Sequence, residues 1–203
     1  MKTQTKETQD SLSPSGAHNI LIEGNNRFVK SLQLARNLQH QVLETSKGQF
    51  PFAAILSCID SRVPAELLFD QGIGDIFSVR VAGNIINEDV LGSMEYSCKV
   101  AGSKIVVVMG HSKCGAVTAA CNDVKLGNIS ALLNKIKPAV NTIKIGNQEL
   151  SNGDIEKVAV TNVKLSIERI RKESSILCEM ETNGEIEILG AMYSVASGKV
   201  EFL

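Results

Sequence analysis

The sequence contains no tryptophan, and aromatic residues make up only 4% of its 203 positions. That scarcity removes the flat platforms on which proteins stack bases or sugar rings. Charge of one sign is equally scarce. Twenty-one Lys and Arg against 22 Asp and Glu leave a net charge of −1, so no field draws the chain to nucleic acid or to an anionic membrane surface. No apolar run approaches the roughly 18 to 20 residues of a membrane-spanning helix. The opening stretch "MKTQTKETQDSLSPSGAHN" lacks an apolar signal core. It reads as a flexible polar arm over residues 1–18, ahead of a single domain over 19–203. Paired cysteine spacing is missing too: five cysteines, an odd number, run from Cys58 to Cys178 in a chain too large to need staples. Such usage suits a reducing, cytoplasmic compartment, where thiols are metal ligands, catalysts or small apolar residues.

What is present is a core and an alternating pattern. The hydrophobic share is 43%, ordinary for a globular domain. Residues 19–43 read as one helix, with Ile22, Phe28, Val29, Leu32 and Leu43 among its apolar positions. "AAILSC" is a short buried strand, and "VPAELLFDQG" a helix with Pro64 in its first turn and Gly72 at its end. "IFSVRVAG" is a second strand, followed by a helix over 88–101 closed by Gly102. "KIVVVMG" is a third strand and "KCGAVTAACNDV" the helix after it. Residues 129–172 are mostly helical, and "EIEILGAMYSVASGKVEFL" reads as a strand pair turning at Ser197 and Gly198. Strands with almost no polar positions, alternating with helices, mean an α/β fold around a mainly parallel sheet. Helices flank that sheet, and an edge strand ends it.

Two strand ends carry the chemistry. The first strand closes on Cys58 in "CIDSRVPAE", and the third is followed by His111 and Cys114 in "GHSKCGA". Functional groups of open α/β sheets gather beyond the carboxyl ends of the strands, so neighbouring strands would bring two thiols and an imidazole to one rim. Such a set of three leaves a zinc ion one coordination place for water. Asp60 and Arg62, two residues apart, can form a charge-assisted pair that keeps the carboxylate ionised and aimed. Cys98, Cys121 and Cys178 share no motif and fall on helical patterns, as structural thiols do.

These residues resemble the C-x-D-S-R and H-x-x-C signatures of the β-class carbonic anhydrases, and the resemblance runs from the first helix to the last strand. It implies zinc held by Cys58, His111 and Cys114, with Asp60 and Arg62 as the dyad that orients a zinc-bound hydroxide. The family has an open state with water on the zinc and a closed state with the aspartate there. Gln49, in a Gln-x-Pro setting ahead of Cys58, matches the substrate-binding glutamine of open members. Ile55 stands where members with an inhibitory bicarbonate pocket carry tryptophan. Phe77 and Tyr96 match the apolar wall for carbon dioxide, and Gly115 the backbone donor after the last ligand. Ala82 departs from the larger aliphatic residue of open members.

The activity implied is reversible hydration of carbon dioxide to bicarbonate and a proton. Two other functions use the same residues: hydrolysis of carbon disulfide or carbonyl sulfide, and zinc binding without catalysis. The resemblance also implies a homodimer or a dimer of dimers with pocket residues from both subunits, and the amphipathic first helix would suit clasping a neighbour. No proton shuttle stands out, since His18 lies in the arm and His40 near the end of the first helix.

Overall fold

A computed structural model describes residues 3–146 and 149–203. Five strands, β1 (Ala53–Ser57), β2 (Ile76–Arg80), β3 (Ile105–His111), β4 (Glu187–Tyr193) and β5 (Val200–Phe202), lie in the order β2-β1-β3-β4-β5. All neighbours are parallel except β4 and β5, which form the antiparallel pair expected at the carboxyl end. Every residue of β1 and β3 is buried. Both faces are therefore covered, which is why neither strand shows the alternation of a half-exposed one.

The helices are α1 (Lys6–Asp10), α2 (Pro14–Val29), α3 (Leu38–Thr45), α4 (Ala65–Leu68), α5 (Glu88–Glu95), α6 (Gly115–Cys121), α7 (Gly127–Asn134), α8 (Lys137–Ile143), α9 (Asn152–Glu173) and α10 (Ser175–Thr182). A wider π turn, Tyr96–Val100, extends α5. On one face of the sheet, Ala54, Leu56, Val106, Val108 and Ile188 pack against Met94, Val163, Ile170 and Leu177 of α5, α9 and α10. On the other face, Ile55, Val107 and Met109 meet Ala17 and Leu21 of α2 and Leu68 of α4. A third core, around Val117, Ile136, Val140 and Val158, sits with Cys58 and Cys114 beyond the strand ends. Among the described residues no helix is long and apolar enough to cross a membrane.

The amino-terminal quarter differs from the sequence reading in three ways. Residues expected to form an arm are helical from Lys6, and Gln9 is buried in the domain. Ala17 and Leu21 of α2 are fully buried against its own sheet, while Ile22 and Val29 of the same helix stay exposed. The single helix expected over 19–43 is broken between Val29 and Leu38. The break is made from a distance. Asp70 leaves α4 with a φ of 46°, and its carboxylate accepts from Arg27, from Arg36 and from the Leu34 N–H at 3.2 Å. Helix would carry those donors away from it. The same turn ends α4 at Leu68, short of Gly72.

Asp70 is 3% exposed. Burial raises its pKa, but the bonds from Arg27, Arg36 and Leu34 together hold it below the ordinary carboxylate value. A carboxylate whose folded pKa is depressed contributes stability fully above its unfolded pKa of about 3.9. The contribution is lost as pH falls through the folded value. Asp70→Asn should thus lower stability at pH 7 by about 3 kcal/mol, since two cations lose a buried partner. It should also flatten the acid loss below about pH 4. Urea unfolding at pH 7 and pH 3.5 measures both effects.

Candidate metal centre

Parallel pairing of β1 with β3 sets Leu56 beside Val108, so the two strands end on the same rim. Cys58 follows β1, His111 is the last residue of β3, and Cys114 caps the start of α6. Lys113, with φ of 55°, makes the tight turn between the last two. The donor atoms of Cys58, His111 and Cys114 all lie within 4.8 Å of one another. Their residues are 4%, 0% and 2% exposed.

The hydrogen bonds of the cluster say what it lacks. His111 Nδ1 lies 3.0 Å from the Ser112 carbonyl, which can only accept, so Nδ1 carries the proton. The lone pair is then on Nε2, which is buried and has no hydrogen-bond partner among the described residues. The Cys58 sulfur accepts from the Gly83 N–H at 3.3 Å. Its pKa is pulled well below the ordinary thiol value by the Cys114 thiol, against burial, with His111 and the Gly83 and Asp60 N–H groups adding to the effect. Cys114 is pushed up, because it keeps the proton beside an ionised Cys58 and is itself buried. A divalent cation would take the place of that proton, with Cys58, Cys114 and His111 as its holders and both sulfurs as thiolates. A deep imidazole nitrogen without a partner and two thiols that share a proton fit a soft or borderline cation such as zinc.

Asp60 stands beside the centre in a bidentate pair. Arg62 Nε reaches Oδ1 at 2.9 Å and Nη2 reaches Oδ2 at 2.7 Å, while the Arg62 N–H adds a third bond at 3.0 Å. The Arg62 bonds hold the carboxyl far below its usual range, with burial opposing them. Both oxygens face Arg62, and the donor cluster is made without Asp60.

Supports that sequence reading missed surround these groups. Arg80 donates to the Cys58 carbonyl at 3.1 Å and to the Asp60 carbonyl at 2.7 Å, clamping the loop from below. Glu156 accepts from the Lys113 N–H at 2.8 Å and so holds the His111–Cys114 turn. Asn162 donates to the Gly83 carbonyl at 2.9 Å. Gly83 has φ of 67°, and a Cβ there would meet Ile136 Cδ1 at 2.6 Å. The glycine in "RVAGN" was the one legible signal, since it precedes a buried polar residue, Asn84. Nothing marks Glu156 and Asn162, which belong to a helix some forty residues farther along the chain.

The other residues singled out from sequence divide into two groups. Ala82 precedes Gly83 in a short 3-10 turn, and Gly115 opens α6 with nothing within 4 Å of the place a Cβ would take. Both are next to the centre. Gln49, Phe77 and Tyr96 are not. Gln49 is exposed ahead of β1, at the opposite end of that strand from Cys58, roughly 16 Å of strand away. Phe77 pairs with Ala54 on the far part of β2 and meets Tyr96 edge-on, with ring centroids 6.2 Å apart. Phe77 and Tyr96 line a groove along the free edge of β2.

Comparisons with known proteins agree with this arrangement. The family model described as carbonic anhydrase matches residues 53–200. Carbonic anhydrase 2 of Mycobacterium tuberculosis is 35% identical over 195 residues, covering 92% of this chain and 91% of its own. The β-carbonic anhydrase CafA of Aspergillus fumigatus superposes with a TM-score of 0.74 at 28% identity, over 81% of each chain. One of two tetrameric β-carbonic anhydrases of Sordaria macrospora shares the fold, with a TM-score of 0.73 at 22% identity over 92% of this chain and 96% of that one.

Removing one sulfur should remove the ion. Cys58→Ser is expected to lose stoichiometric zinc and the thiolate charge-transfer band of a cobalt(II)-substituted protein. A variant that keeps one equivalent of metal with that band unchanged would show that Cys58 is no ligand.

Proposed function

The chain belongs to the β-class carbonic anhydrase family, and from that premise we propose that it is a zinc enzyme hydrating carbon dioxide reversibly at the Cys58–His111–Cys114 centre. The observation that carries the reading is the buried Nε2 of His111, without a partner among the described residues, beside the buried sulfurs of Cys58 and Cys114. Bound there, zinc supplies a Lewis acid that lets a water molecule lose its proton near neutral pH. Asp60, kept ionised by Arg62, accepts a hydrogen bond from the nucleophilic oxygen and fixes its direction toward the carbon. Oxygen–carbon bond formation moves one carbonyl electron pair of carbon dioxide onto oxygen, and the released proton passes to buffer. His18 and His40 serve no role in this scheme.

Asp60 does not join the ligands, because both of its oxygens are held by Arg62. That favours the open form of the family, as do Gln49 and the fully buried Ile55 in place of a tryptophan. Ala82 and Gly115 border the place where substrate would lie, Gly115 offering its N–H. Two sulfur donors leave more negative charge at the site than three imidazoles would, so the water's proton leaves less readily.

Gln49, Phe77 and Tyr96 cannot serve the Cys58 centre of their own chain, so we assign them to the centre of a second copy. Among the described residues β2 pairs only with β1, leaving an open edge of backbone donors and acceptors. Tyr96, 54% exposed, and Val100, 70% exposed, lie beside it on the turn that follows α5. A homodimer formed across this edge supplies each centre with the partner's Gln49 and aromatic wall, and a dimer of dimers is an extension of it. Free thiols at all five cysteines suit a cytoplasmic protein.

Stopped-flow hydration of carbon dioxide on zinc-loaded protein tests the activity. Turnover should be measurable at pH 7 and should rise to pH 8.5. Turnover of carbon disulfide or carbonyl sulfide with none of carbon dioxide would overturn the assignment, as would full zinc with no turnover of any of them. A second experiment tests the shared site. Gln49→Ala and Cys58→Ser chains, each weakly active or inactive alone, should complement when co-expressed. Mixed dimers hold one intact centre each, so about a quarter of wild-type sites return in a random mixture. No gain over the parent variants would show that Gln49 does not serve the partner's centre and would overturn the shared site.

A further inference from the structure

We infer that α1 is a positioning device for Gln49, with Gln9 as its positioning residue; the inference rests on the reading of Gln49 given above. Its starting point is a glutamine buried to 1% exposure on an otherwise polar five-residue helix. Gln9 Nε2 donates to the Pro51 carbonyl and to the Ala101 carbonyl, each at 2.8 Å. Ser103 Oγ donates to the same Pro51 carbonyl at 2.9 Å, so both of its lone pairs are used. The Gln9 side chain also packs against Gly102, where a Cβ would come to 2.9 Å of Oε1.

A second set of bonds pins the next residue. The Gln4 N–H donates to Asp75 Oδ1 at 3.3 Å, and Phe52 N–H donates to the Asp75 carbonyl at 2.9 Å. Asp75 Oδ2 in turn accepts from the Gly72 N–H at 2.7 Å. Pro51 and Phe52 are thereby fixed from one side by α1 and from the other by the turn before β2. Gln49 lies only two residues upstream, exposed, and Phe50 between them is held extended by the proline that follows it.

A leucine at position 9 would fill the same space and leave a carbonyl poorly satisfied. A glutamine with two donor bonds instead fixes the direction in which the chain enters β1. What that direction sets is the line along which the Gln49 side chain leaves the surface, toward the centre of the partner. An error of about 1 Å in such a group is enough to cost rate without loss of fold.

The test is a double-mutant cycle on zinc-loaded protein, read by stopped-flow hydration, with zinc content and urea stability measured on each variant. Gln9→Leu should lower kcat/KM by about three- to tenfold, the loss of ordinary hydrogen-bond positioning, with zinc content and pH profile unchanged. Introduced into Gln49→Ala, it should lower the rate no further. Ser103→Ala, a milder change at the same carbonyl, should show the same dependence on Gln49 with a smaller loss, and it decides the matter if Gln9→Leu does not fold. Equal losses with and without Gln49 would make α1 merely structural and overturn the inference. So would wild-type rates in both Gln9→Leu and Ser103→Ala. A Gln49→Ala protein at the wild-type rate would instead overturn the reading of Gln49, and this inference with it.

Discussion

The site depends on one constraint, the parallel pairing of β1 with β3. Because Leu56 sits beside Val108, the residue that leaves β1 and the residue that ends β3 emerge on one rim, on adjacent strands. Adjacent strands are about 4.8 Å apart, which is the scale on which two ligands can reach one ion. Shift that register by one residue and His111 turns to the other face of the sheet. Every position of β1 and β3 is buried on both faces, so such a shift would have to repack two cores at once. Packing energy spread over the sheet thus becomes geometric precision at its end.

The loops beyond the strands refine that placement with polar bonds that need the rest of the fold. Arg80 reaches up from β2 to the carbonyls of Cys58 and Asp60, and Glu156 and Asn162 reach across from α9 to the Lys113 N–H and the Gly83 carbonyl. The centre is therefore held by three residues, on two elements that contribute no donor atom to it. Electrostatics follow from the same arrangement. A guanidinium that occupies both oxygens of Asp60 keeps that group ionised and directed, while two thiols brought together under little solvent leave one proton between them.

The opposite end of the sheet carries a different logic. The resemblance assigns Gln49, Phe77 and Tyr96 to the centre, yet in one chain Gln49 precedes β1 and Phe77 pairs with Ala54 near its start, away from Cys58. Helix α1 packs onto this end, where Gln9 bonds the Pro51 carbonyl two residues after Gln49. The open edge of β2 lies beside the same groups. Under the proposed homodimer, each protomer would contribute to two sites, one at each end of β1.

The strands, their order of helices between them and the three donor residues with their neighbouring acid and base were all legible in the linear sequence. Continuous apolar runs declare buried strands, and C-x-D-S-R and H-x-x-C, each short and local, point to a metal site when read together at two strand ends. The break after α2, the docking of α1 and the roles of Arg80, Glu156 and Asn162 were not legible. Each arises from a bond between residues tens of positions apart, such as Asp70 with Arg36 or Gln9 with Ala101, and local propensity is silent on such bonds. By itself, the sequence determined which atoms could bind a metal and on which strand ends they sit. Only the tertiary structure decided that they converge, and that Gln49, Phe77 and Tyr96 face away from them, because convergence depends on strand pairing and register between distant segments.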